Sequence, residues 1–259
     1  MANELECCFI GRGPLSLQEQ VDFCPTTANP NTNPTFYLGN ASVFSVQPEF
    51  EEKSIKDFRR AAGNACESKL ISSINLNMTV NCFKDDVLEL ALAGESTSIA
   101  TSAVTNETHA VNSLSDLVHF NFIADKTTVV VTNVGGGTTY VLGTDYNLIT
   151  PNNNATGTAT GIEIIPTGTI VIGDIEFDYT RIDQTQFSAF TFVNKTFILY
   201  FDGFNAEDGS AVYATYWKVK IGAATQIDWI GDDYIQLQFE GEVLFDDCNN
   251  EYARVLRAA

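Results

Sequence analysis

The chain has 259 residues, 44% of them hydrophobic, enough to bury a core as one large β domain or two smaller ones. Its 33 acids against 14 bases give a formal net charge of -19. That balance argues against a DNA-gripping surface of clustered Lys and Arg and favours solubility through self-repulsion.

No apolar run approaches the ~20 residues of a membrane-spanning helix, so no membrane anchor is expected. The first residues, "MANELECCFIGRGP", lack the basic region and apolar stretch of a signal peptide. The six cysteines, Cys7, Cys8, Cys24, Cys66, Cys82 and Cys248, contain no CxxC pair, and His109 and His119 lie far from all of them. A zinc site is therefore not expected, and free thiols in a reducing compartment are. Asn-X-Ser/Thr triplets such as Asn77-Met-Thr79 read as chance matches in an Asn/Thr-rich chain.

In chain order, "VFSVQPEF" alternates Phe44, Val46, Pro48 and Phe50 against Ser45, Gln47 and Glu49. Pro48 lacks an N–H and places this strand at an edge or a bulge. A charged stretch follows, Glu51 to Ser68, in which Ala61, Ala62 and Ala65 favour a helix that Gly63 interrupts. In "KLISSINLNMTVNCF", Leu70, Ile74, Leu76, Met78, Val80 and Cys82 alternate with Ser73, Asn75, Asn77, Thr79 and Asn81. This period of two predicts a strand with one buried face and one wet face of uncharged hydroxyls and amides. The two strands read as arms of a long hairpin with a charged tip.

"FKDDVLELALAGES" predicts a short helix, capped by Asp85 or Asp86, with Val87, Leu88, Leu90 and Ala91 as its apolar face and Gly94 at its end. "GESTSIATSAVTNETHAVNS" reads as a polar linker. Short strands follow: "TTVVVTNV" and "TTYVLGTDYNLIT" form a hairpin across Gly135-Gly136-Gly137, and "GIEIIPTGTIVIGDIEFDYTRI" breaks at Pro166-Thr167-Gly168 and Gly173-Asp174. Longer strands resume in "FVNKTFILYFDGFN", "AVYATYWKVKIGAAT" and "YIQLQFEGEVLFDD". In the second, Trp217, Val219 and Ile221 oppose Tyr216, Lys218 and Lys220. In the third, Ile235, Leu237, Phe239 and Val243 oppose Tyr234, Gln236, Gln238, Glu240 and Glu242. The fold class is therefore mainly β. Residues 1–100 and 183–259 would form one discontinuous β domain with one short flanking helix, and 101–182 an inserted small all-β domain.

Little here points to catalysis. The triple glycine lacks the Lys-Ser/Thr and helix of a phosphate loop. "DGFNAEDGSA" fails the EF-hand spacing and reads as a hairpin turn. Adjacent carboxylates on a strand, as in Asp232-Asp233 and Asp246-Asp247, point to opposite faces and do not converge; solvated turns explain them. Neither a Gly-X-Ser-X-Gly elbow nor a triad arrangement is present, so the chain is not expected to be an enzyme, and no cofactor or metal is implied. From Ile221 to Ala253, eight acids occur with no Lys or Arg. Such a surface repels a polyanion rather than holding it. Trp229 reads as packing at a strand end.

The order of these motifs resembles the major tail tube proteins of long, non-contractile bacteriophage tails. "FIGRGPLSL" resembles the family's opening strand, and "FYLGNASVFSVQPEFEEKSIKDF" its Leu-Gly-Asn turn into a long strand. "INLNMTVNCFKDDVLELALAGES" resembles the return strand and helix. "YVLGTDYNLI" with "GIEIIPTGTIVIGDIEFDYT" resembles the variable β insert, and "DGFNAEDGSAVYATYWKVKI" with "DDYIQLQFEGEVLFDD" the closing strands. The resemblance spans nearly the whole chain. Cys7-Cys8 and the Cys24–Pro34 loop depart from it.

The resemblance implies a tail-tube-type β-sandwich or barrel whose subunits form stacked homohexameric rings around a lumen that conducts DNA during ejection without binding it specifically. It implies as partners a tape measure protein and tail terminator or tip proteins, in a virion assembled in the bacterial host cytoplasm. On this reading Ser73, Asn75, Asn77, Thr79, Asn81, Gln236, Gln238 and Glu240 line the lumen, and Phe58, Arg59 and Arg60 contact an adjacent subunit or ring. The alternatives are another tail component of the same fold, such as a distal tail or terminator protein, or a non-viral β-sandwich binding or adhesin module.

Overall fold

The computed structural model describes residues 10–21, 24–25, 29–56, 64–151, 157–192, 195–230 and 234–258; of 55–56 and 64–66 it describes the backbone alone. The chain is mainly β and divides into two compact units. One combines Met1–Ser96 with Phe187–Ala259, and the other is Thr97–Gln186.

The first unit is a ten-stranded antiparallel sheet: β1 (Gly11–Arg12), β2 (Leu15–Glu19), β3 (Thr35–Tyr37), β4 (Ala41–Lys56), β5 (Asn64–Val80), β14 (Lys195–Asn205), β15 (Ala211–Ile221), β16 (Gln226–Ile227), β17 (Leu237–Val243) and β18 (Ala253–Arg257). Its main path runs β3-β2-β14-β15-β17-β5-β4. The N-terminal strands thus occupy both ends of the sheet and the C-terminal strands its middle, so neither end of the chain completes the sheet alone. Both ends feed one core: Leu15 and Leu17 of β2, Leu76, Met78 and Val80 of β5, Leu199 of β14, Val219 of β15 and Phe239 of β17 belong to one buried cluster. Phe44 of β4 closes over it, with ring centroids 6.1 Å from Phe201 and 5.7 Å from Tyr216. Each such side chain contributes roughly 1.5–3 kcal/mol by leaving water.

β4 and β5 are the arms of the long hairpin, paired from Ala41↔Val80 to Lys56↔Asn64 with three shifts of register. β5 begins at Asn64, earlier than its alternation indicates, because the polar stretch before Lys69 is also strand. A bulge at Ser72 shifts the phase between Glu49↔Ser73 and Phe50↔Ile71. Leu70 consequently does not join the packed row of Ile74, Leu76, Met78 and Val80 and is 51% exposed. Among the described residues β4 pairs with β5 alone, so Pro48 sits on the end strand of the sheet.

The helix α1 (Asp85–Ala91) packs Val87, Leu90 and Ala91 into the same core. Its N-cap is Lys84, which makes no side-chain cap, rather than Asp85 or Asp86. Those two acids lie in the first turn, where they favour the helix dipole. Gly94 N donates to Glu89 O and Ala93 N to Leu90 O, a Schellman closure in which Ala93, at φ 44, takes the left-handed position. Gly94 serves a different need: a Cβ there would lie 2.2 Å from the Ser188 carbonyl oxygen.

The expected linker is strand. β6 (Glu95–Ile99) pairs with β13 (Gln184–Ser188), and β7 (Ser102–Val111) opens the second unit. Thr and Val suit an extended, half-exposed backbone as well as a loop. The second unit continues with β8 (Leu117–Asp125), β9 (Val130–Asn133), β10 (Tyr146–Ile149), β11 (Thr158–Ile164) and β12 (Gly173–Arg181), in the order β10-β11-β8-β12-β7 with β9 on β12. The triple-glycine turn is present, with Gly135 and Gly136 at positive φ and Asn133 N donating to Thr138 O. Its return arm is brief, and β10 pairs with β11 instead. Phe120, Val131, Ile162, Ile175, Phe177 and Tyr179 centre a separate core.

Expected free thiols give way at one pair: Cys24 and Cys248 form a disulfide, with Cα atoms 5.4 Å apart. It joins positions 224 residues apart, a proximity that spacing in the sequence does not reveal. Cys82 is the free cysteine among the described residues.

Candidate functional site

The site singled out by the sequence is the wet face of β5. Ser73, Asn75, Asn77 and Thr79 are partly exposed there, while Ile74, Leu76, Met78 and Val80 between them are buried. Pairing fixes what stands beside them. On β17, Gln238 lies opposite Thr79, Glu240 opposite Asn77 and Glu242 opposite Asn75. On β4, Val43 lies opposite Thr79, Ser45 opposite Asn77, Gln47 opposite Asn75 and Glu49 opposite Ser73. One polar face thus runs across three strands, because facing residues in antiparallel strands share a side.

Two expected members lie beyond the paired strands. Asn81 follows the end of β5; its N–H donates to Asn40 O and its Oδ1 is buried without a protein partner. Gln236 precedes β17, whose first residue is Leu237. Phe58, Arg59 and Arg60 lie outside the described residues.

The face is not uncharged as the single strand indicates. Glu49, Glu240 and Glu242 stand on it, and Lys220 pairs beside Glu242. Asn75 Nδ2 donates to Glu49 Oε1 at 2.8 Å and Ser73 Oγ to Glu49 Oε2 at 3.2 Å. These two donors hold the Glu49 carboxylate in place. Ser45, Gln47, Glu49 and Glu242 were visible as alternating residues in their own strands; only the register joins them to β5.

Beside this unit's β4 edge lies a cleft of about 1130 Å³, floored by Phe44, Phe201, Ala214 and Tyr216 and rimmed by Gly11–Leu15 and Val255. Among the described residues its lining is mostly apolar and holds no acid.

Elsewhere, buried polar groups serve structure. Asp246, expected in a solvated turn, is 3% exposed; it accepts from Asn249 N, Asn249 Nδ2 and Gln20 Nε2. In the Asp202–Ala211 turn, Asn205 Oδ1 accepts from Ile10 N and Glu207 N, and Asp208 Oδ1 from Ser210 N. Among the described residues no group of His, Cys, Asp or Glu is arranged to hold a metal ion.

In the second unit a bulge with Asn106 at φ 55 turns Glu107 inward, where it accepts from Tyr179 Oη at 2.6 Å and Asn121 N at 2.8 Å. His109 Nε2 lies 2.7 Å from Oε1, the oxygen that Asn121 N also reaches. Burial first, then the Glu107 carboxylate, pushes the Tyr179 phenol well above its ordinary value. Trp229 is not packed into the core; it is 62% exposed and meets Phe83 edge-on at 5.9 Å.

A family model described as "Protein of unknown function UCP028589" matches residues 8–255. The chain belongs to this family. A search of curated proteins finds no match. The match includes β1–β17 and the first residues of β18, so the cores of both units and the polar face lie within the family's span.

Proposed function

We propose that this protein is the structural subunit of a bacteriophage tail tube, assembling into stacked hexameric rings whose hollow lumen conducts DNA. The observation that carries this reading is the polar face shared by β4, β5 and β17, backed by the core along its length. A wide barrel needs such a sheet, with one side dry and one side facing water. The acids Glu49, Glu240 and Glu242 on that face would repel passing phosphates, so DNA would slide rather than stick.

Two further features support it. The sheet ends in β3 and β4, each paired on one side only among the described residues, and an unpaired edge is a template for a neighbouring chain. Ring closure would consume those edges through a head-to-tail contact. The outer part of the β4–β5 hairpin exposes Phe50, Leu70 and Ile71, and a two-stranded ribbon is marginally stable by itself. A neighbour in the same ring or the next would cover it.

Negative-stain microscopy of the purified protein tests the proposal: hollow rings or tubes are expected. A second reading, a monomeric glycan-binding module, draws on the exposed Trp229–Phe83 pair. It predicts glycan binding without polymerisation, and Trp229→Ala would abolish that binding.

A further inference from the structure

The second unit carries an aliphatic surface that neither its core nor the polar face uses. Three of its loops are tied together at one end: 112–116 between β7 and β8, 141–145 before β10, and 165–172 between β11 and β12. Asp145 accepts from Val141 N at 2.7 Å, and from Thr169 N and Oγ1 at 2.7 and 2.9 Å. Ile164 N donates to Asp116 O, and Leu117 pairs opposite Glu163.

In these loops and at the first residue of β8, Leu114, Leu117, Val141, Leu142, Val171 and Ile172 are exposed to solvent, Val171 at 68% and Ile172 at 65% exposure. Single exposed aliphatics are ordinary; six converging at one end mark an interaction surface. The loops beneath them are fixed. Ile170 and Tyr140 are buried, and Asp145 is held by backbone and hydroxyl donors. A surface ordered before binding loses little entropy on binding.

Charge selects the occupant. The acids at this end include Asp116, Asp145, Glu163 and Asp174, and the three loops contain no Lys or Arg. The unit's bases are Lys126 and Arg181, at the opposite strand ends: Lys126 N donates to Gly157 O, and Arg181 pairs with Ala124. A second copy docking through the same loops would bring the same acids into contact, and nucleic acid or an anionic bilayer would be repelled. We propose that these loops form a docking surface for a partner polypeptide that presents an apolar seat ringed by Lys or Arg. The proposal does not depend on the tube reading.

The test uses the full chain and an amphipathic helical peptide of Leu and Lys, with its Leu/Glu counterpart and phosphatidylcholine vesicles as alternatives. The Leu/Lys peptide is expected to bind, and the double variant Val171→Ser/Ile172→Ser to weaken binding by about tenfold. Val255→Ser, an exposed aliphatic of the first unit, should leave it unchanged. Leu142→Ser provides an independent variant should the double one fold poorly, judged by near-ultraviolet circular dichroism. Equal binding by the variants would assign the attraction to the net charge of the chain and overturn the proposal. Binding to the vesicles or to the Leu/Glu peptide, or self-association lost in the variants, would equally overturn it by naming a different occupant.

Discussion

The sequence assigns the end of the helix to Gly94, yet Ala93 and Gly94 have separate tasks. Ala93 takes the left-handed position, and Gly94 leaves room for the Ser188 carbonyl. Gly94→Ala should therefore destabilise the first unit by about 1–3 kcal/mol through overpacking, read by urea denaturation. Ionisable residues set the pH limits. Tyr179, Tyr146, Tyr200 and Tyr216 all have raised phenol pKa values, with burial as the first cause. The folded chain keeps these protons more tightly than the unfolded one. Stability is thus full below the ordinary value of 10.0 and falls as pH rises beyond it. Tyr179→Phe, which cannot ionise, should flatten the decline of melting temperature above about pH 10. At the acid end the signs reverse. Backbone N–H groups of Val141 and Thr169 hold Asp145 below its ordinary 3.8, and Thr127 does the same for Asp125. Their contribution is present above that value and lost as pH falls through the lowered pKa, and Asp145→Asn should shallow the acid transition.

Strands announce themselves through alternation, and bulges are where that signal breaks. In β15 two residues, Trp217 and Lys218, oppose the single Ile198, so Tyr216 joins the core with Val219 and Ile221. Trp217 turns out to bond Glu251 and to meet Arg254. A pattern of period two carries no sign of the inserted residue, so the inward row before Val219 was misread from sequence. The same reason placed Leu70 on the packed face. Between bulges the reading held: Leu76 is fully buried and Asn77 is not. Leu76→Ala should cost about 2–5 kcal/mol, whereas Asn77→Ala should stay within about 0.5 kcal/mol, both by chemical denaturation. The disulfide was illegible for a different reason, since its partners meet only after the β2–β3 and β17–β18 connections fold beside each other. Reduction, or Cys24→Ser, should lower stability by about 2–4 kcal/mol. The acidity of the polar face needed the register of three strands, which no one strand contains.

For the whole molecule, the discontinuous sheet, its polar face and its open edges are proposed to form a tube wall. The insertion was legible because strand style changes within the chain, and the face because β5 alternates without interruption from Ser73 to Thr79. Edges and partners were not, because a single chain carries no record of what pairs with it. If the polar face lines a bore, Asn75→Lys with Asn77→Lys should leave rings intact yet slow genome release, by placing cations where phosphates pass. The most direct measurement is a cryo-electron microscopy reconstruction of the purified, assembled protein. The account predicts stacked six-membered rings whose bore is walled by Ser73, Asn75, Asn77, Thr79, Gln238 and Glu240. A protein that remains monomeric at every concentration, or a tube whose bore is lined by another surface, would contradict it.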